Sequence, residues 1–180
     1  MVRTQKKHMA LLALAAMMVA HVVGCSGGGG DDDDDDGGDP QTPPIAGGTA
    51  IQAWLAESHY LSWACEGAAH GPLEGVSPHG AVRICSNDLM SAHGVGEYPV
   101  GASSVKELLS GTSGTPTIVG YAVSLHSAAG TTGDEWYWYE EMNGSAVADG
   151  IGDPVCVGCH MGAGSDAMHP GHDFVYVQVP

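Results

Sequence analysis

The chain is 180 residues long and carries 21 Asp and Glu against 5 Lys and Arg, a formal net charge of −16 at neutral pH. So acidic a protein repels nucleic acid and anionic lipid headgroups, and it suits a basic protein partner. The length is enough for a single domain with one core, and 5 cysteines in it have to be accounted for.

Arg3, Lys6 and Lys7 form a positive start, and Met9 to Val23 an apolar run broken only by His21. The run is short for a bilayer span and ends in small residues, so residues 1–24 read as an export signal. Its end, Val22-Val23-Gly24-Cys25, resembles the bacterial lipoprotein box. That resemblance implies cleavage before Cys25 and acylation there: a lipid anchor in the cell envelope, facing the periplasm or the exterior, as the one membrane attachment. An ordinary signal peptide cut nearby is the alternative. Residues 25–44 hold glycines, the Asp31 to Asp36 run and a Pro-rich end. They can bury no apolar area and their like charges repel, as in an extended disordered tether. A calcium cage would need a turn and mixed oxygen ligands.

Residues 45–180 are the expected folded domain. Thr49 is a candidate cap for a helix running to about Cys65, with Ile51, Trp54, Leu55 and Leu61 at helical spacing. Gly67 to Gly80 is loop. Ala81 to Cys85 reads as a strand, and Ser86-Asn87-Asp88 as the start of a short helix through His93. Ser103 to Leu109, Thr117 to His126 and Asp134 to Met142 follow as strands. Asn143-Gly144 is a hairpin signal leading into Ala146-Val147, and Phe174 to Val179 resembles a closing strand. The pattern predicts an α+β fold, predominantly an antiparallel β sheet with an N-terminal helix.

After the hairpin comes Cys156-Val157-Gly158-Cys159-His160. C-x-x-C-H is the attachment signature of a c-type haem: the two thiols add to the porphyrin vinyl groups and the imidazole becomes the proximal iron ligand. A thioredoxin-like pair gives no reason for the trailing His, and a zinc site needs a further ligand pair that is not evident. With Cys25 lipidated and Cys156 and Cys159 on haem c, Cys65 and Cys85 remain. In an oxidising compartment that even remainder suggests a disulfide between the first helix and the first strand, two separate thiols being the alternative. Between Ile45 and Pro180 there are 14 Asp and Glu but only two cations, Arg83 and Lys106. Each has an obvious use beside a haem, pairing with a propionate or acting above the iron, and each is otherwise a stray surface charge.

Taken in order, His79 to Asp88, Tyr98-Pro99-Val100-Gly101, Val105-Lys106-Glu107-Leu108, Glu135 to Tyr139, Cys156 to His160 and Asp173-Phe174-Val175-Tyr176 resemble the cytochrome P460 family over most of the domain. The resemblance implies an antiparallel β fold of the P460 or β-type cytochrome c′ kind around one haem c. The iron would be five-coordinate, and a lysine could be bonded to the porphyrin rim. By motif, Lys106 is the candidate cross-linking residue and Arg83 the candidate distal or propionate-facing arginine. His160 is the proximal ligand. The implied chemistry is redox chemistry on a small nitrogen compound, hydroxylamine or nitric oxide, and the acidic charge suits a basic redox protein as electron partner. A gas-binding protein without turnover and a plain electron carrier are the alternatives. The hydroxylamine-oxidising members place a distal carboxylate on the strand after the lysine strand. Here Ala122 takes that position, and lack of a base would slow proton removal by about 10²- to 10⁴-fold. Tyr121, His126 and Glu135 are candidate substitutes. Met168, His169 and His172 are candidates for a sixth ligand, with surface or metal-scavenging roles as the alternative. Trp136 and Trp138 share one strand face and Tyr137 and Tyr139 the other, so one pair is expected in the core and the other at the haem pocket or the surface.

Overall fold

Alternation of apolar and polar side chains dictates most of the sheet. A computed structural model describes residues 41–74 and 77–180. The export signal, Cys25 and most of the tether lie outside the described residues. Among those described, the strands are β1 (Ala64–Cys65), β2 (Ala81–Ser86), β3 (Ser103–Leu109), β4 (Ile118–His126), β5 (Trp136–Met142) and β6 (Ser145–Ile151). They pair in chain order as one six-stranded antiparallel meander. Helices α1 (Gly48–Glu57), α2 (Asp88–Ser91) and α3 (Pro154–His160) complete an α+β fold. No described helix is long and apolar enough to cross a membrane.

The β5–β6 turn is the Asn143-Gly144 pair, with φ of 51° and 77°, values that an Asn-Gly pair reaches at little cost and that match the twist of the flanking strands. One sheet face, carrying Cys85, Val105, Val123, Leu125, Tyr137 and Tyr139, is covered by Ile51, Trp54 and Leu55 of α1 and by Tyr60. These α1 residues recur at i, i+3 and i+4, the spacing that aims one helix stripe at a core. The opposite face holds two further clusters. Val82, Ile84 and Leu108 pack with Val179, and Trp136 and Trp138 pack with Met90, Tyr98 and Val175. Both aromatic pairs of β5 are therefore buried, the tyrosines under α1 and the tryptophans on the other side.

Three expectations are corrected. The first helix ends at Glu57, not near Cys65, because Ser58 turns left-handed at φ 60° and sends the chain into a 3-10 turn, leaving Leu61 49 % exposed. Thr49 lies inside that helix and does not cap it. Gly47 at φ 99° makes the entry, with no side-chain cap. Phe174 to Val179 is not a strand of the sheet. Asp173 and Phe174 have φ of 43° and 67°, which breaks an extended run. The segment beyond lies over the second face, anchored by the Val179 amide donating to Ser86 Oγ at 3.2 Å.

Cys65 and Cys85 form a disulfide. With the helix shortened, it joins β1 to β2 directly, at paired positions in the register. Closing a loop over a sequence separation of 20 stabilises the fold by about 3 kcal/mol in the chain-entropy picture.

Candidate functional site

On the second sheet face the register lines up Ile84, Lys106, Ala122, Glu140 and Ala148, one from each of β2 to β6. Neighbouring strands are ~4.8 Å apart, so the Lys106 and Glu140 backbones stand ~10 Å apart. Only the Ala122 methyl fills the row between them, and a cavity of about 290 Å³ opens over it. That is close to the lower end of the range for cofactor and ligand clefts, ~300–1,000 Å³.

Helix α3 forms one wall. Asp153 caps it by accepting from the Val155 amide at 3.0 Å, and Pro154 begins its first turn, where a missing N–H costs nothing. The helix was not foreseen in this Gly-rich stretch. It places Cys156, Cys159 and His160 at i, i+3 and i+4, hence on one face, and all three line the cavity. The two cysteines are free thiols. Burial first, then the negative charges of Glu140 and Asp153, push the Cys156 thiol up to about 12, so it stays protonated.

His160 donates from Nδ1 to the Phe174 carbonyl at 2.6 Å. That bond commits the proton to Nδ1 and leaves Nε2 with a free lone pair, as in histidines that ligate a metal. Burial, then the charge of Lys106, lowers its pKa to about 4, so the ring is neutral at pH 7. The Trp138 ring packs 4.5 Å from it, centroid to centroid, and Tyr176 steadies the helix end by donating to the Cys159 carbonyl at 2.8 Å.

Lys106 lines the same cavity. Burial pushes its amine below the ordinary lysine value against the pull of Glu140 and Glu66, which makes more of the nucleophilic neutral form available. Glu140 meets His79 at 3.6 Å, Nδ1 to Oε1. Burial raises the Glu140 carboxyl, but the bond to His79 and the charges of His79 and Lys106 outweigh it and hold the group below its usual range. A carboxylate depressed in this way contributes stability above its unfolded value of about 4.3, and that contribution is lost as pH falls through the lower folded value. Between about pH 5 and about pH 3 the urea midpoint of the wild type is expected to fall more steeply than that of Glu140→Gln. Parallel curves would show that Glu140 is not held ionised by the cavity.

The structure thus brings Cys156, Cys159, His160 and Lys106 together. Arg83 is not with them. Its neighbour Ile84 faces the cavity, so the strand period of two turns Arg83 to the opposite face. There its Nε and Nη2 each donate to Glu107 at 2.7 Å, beside the Tyr60 hydroxyl, which donates to Glu107 at 2.9 Å. None of the three substitute bases reaches the cavity either. Tyr121 packs on Tyr60, His126 is buried against Trp136, and Glu135 is occupied in an exposed capping box with Thr132. Met168, His169 and His172 also lie outside it. The carboxylate that does line it is Glu140, one strand beyond the expected position, and sequence reading missed both it and its partner His79. The signal available was the alternation of β5, which puts Glu140 on the face of Trp136 and Trp138.

The residues present fit a haem. Two thiols and an imidazole with a free Nε2 share one helix face, and the Trp138 indole N–H, buried in the cavity wall, has no acceptor among the described residues. Also among them, no three His, Cys, Asp or Glu side chains gather as a cage for a bare metal ion.

Fold and cavity define the class: an α+β protein whose antiparallel meander carries, on one face, a cavity with a Cys-Cys-His helix edge and a half-buried lysine. No protein-family model, curated protein or solved structure matches the chain.

Proposed function

We propose that this chain is a lipid-anchored, monohaem c-type protein of the cytochrome P460 kind, acting on hydroxylamine or nitric oxide in the cell envelope. The observation that carries the proposal is the convergence of Cys156, Cys159 and His160 with Lys106 on one cavity. When bound there, haem c supplies an iron able to exchange single electrons with a small nitrogen ligand. Cys156 and Cys159 hold the porphyrin edge, and His160, fixed by its bond to Phe174, presents Nε2 as proximal ligand. Lys106 would be the residue at the porphyrin rim, as the family's cross-linking lysine or, uncrosslinked, as the partner of a propionate. Glu140 is the carboxylate placed to accept a substrate proton, with His79 holding it in position. A basic protein is the fitting electron partner for so acidic a chain.

Ala122 in the family's carboxylate position keeps a second reading in view, a gas-binding haem protein without turnover. The absorption spectrum of the purified protein separates the two. A red-shifted ferrous Soret band, with haem mass retained on Lys106, is expected for the cross-linked enzyme. Replacing Lys106 with Leu should return that band to an ordinary high-spin position. A variant spectrum identical to the wild type would sink the cross-link, and a sharp low-spin spectrum indifferent to nitric oxide would leave a plain electron carrier.

A further inference from the structure

Four aromatic side chains run inward from the proposed iron ligand. Trp138 packs against His160 with centroids 4.5 Å apart, and Trp136 stacks behind Trp138 at 5.8 Å with the planes 29° apart. Tyr98 follows at 6.0 Å, and His172 stacks on Tyr98 at 4.7 Å. Trp136 and Trp138 are buried, and neither indole N–H has an acceptor among the described residues. Buried tryptophans ordinarily find one, and an unpaired buried donor costs stability that phenylalanine in its place would not. Packing therefore accounts for two large rings here but not for two indoles.

We propose that Trp138, backed by Trp136, is a one-electron donor to the haem site and that the protein thereby also reduces hydrogen peroxide. The proposal rests on the haem reading above. Hydrogen peroxide takes up two electrons and two protons and becomes two waters. In the haem-loaded protein the Trp138 ring would supply one of these electrons and the iron the other, with the protons drawn from solvent. With no acceptor for its N–H proton among the described residues, the oxidised indole stays a cation. The Glu140 carboxylate, two residues along the same strand face, favours that positive charge, and the stacked Trp136 ring shares it. Two single electrons from a reduced partner protein return both centres to their starting state.

The test uses the full haem-loaded chain, with its covalent haem first measured from the alkaline pyridine spectrum. The protein is mixed with an equimolar amount of hydrogen peroxide, frozen rapidly and examined by electron paramagnetic resonance. An organic radical is expected, with a spectrum that narrows when the protein is grown on ring-deuterated tryptophan and that disappears in Trp138→Phe. If that variant folds poorly, the deuterated wild type still assigns the radical to a tryptophan, and the Trp138–Trp136 pair is the one stacked on His160. A radical insensitive to tryptophan deuteration, or no radical although peroxide is consumed, overturns the inference while leaving the haem reading intact. Absence of covalent haem overturns both.

Discussion

Replacing Cys156 and Cys159 together with alanine is expected to abolish covalently bound haem. The variant should run on a denaturing gel with no haem peroxidase stain, and its mass should lack the haem that the wild type carries. The thiols are the only covalent bonds the C-x-x-C-H reading offers besides a Lys106 cross-link, so the double variant also asks whether that cross-link forms unaided. The fold should survive the change. Cys156 is only partly buried and Cys159 is exposed. Helix α3 keeps its Asp153 cap and the Tyr176 bond to its last turn. The Cys65–Cys85 bridge is untouched. Far-ultraviolet circular dichroism of the variant should therefore match that of the wild type. Haem retained at wild-type stoichiometry after denaturation would overturn the attachment assigned to these two residues.

Glu107→Ala is expected to be the most damaging single substitution on the opposite sheet face. Glu107 is 3 % exposed and accepts from both Arg83 and the Tyr60 hydroxyl. Burial and the neighbouring carboxylate raise the Tyr60 pKa strongly, so the phenol remains a donor and loses its acceptor in the variant. Removing one member of a buried ion pair costs about 3–5 kcal/mol. Arg83 is 33 % exposed and can turn to water, which places the expected cost near about 3 kcal/mol, read from the shift of the urea midpoint at constant slope. Changing Arg83 and Glu107 together to leucine should restore most of that loss, because no buried charge is left unpaired. In the same double variant the haem spectrum should be unchanged. A spectral shift would return Arg83 to the haem environment, where the family resemblance had placed it.

The sheet was legible because its signals are local. Ser103 to Glu107 alternates, and Asn143-Gly144 admits few conformations other than a tight turn. The Cys-Cys-His set was legible for the same reason, since its spacing puts all three on one helix face, whereas Lys106 stood out as one of two cations in the domain and through the family resemblance. What failed depended on distant contacts. The end of α1 is set by a left-handed serine that no pattern announces, and Phe174 to Val179 has the composition of a strand that the left-handed Asp173 and Phe174 keep out of the sheet. The arginine was misplaced although its strand was correctly read. A motif orders residues along the chain, and a shift of one residue reverses the face.

By itself the sequence determined the acidic character, the antiparallel run from β2 to β6 in outline and the C-x-x-C-H spacing that a helix turns into a single face. Only the tertiary structure decided which residues share the cavity. Cross-strand register set Lys106 beside Ala122 and Ala122 beside Glu140, and it sent Arg83 to the other side. Register is fixed by burying both faces of the sheet at once, and no single strand holds that information.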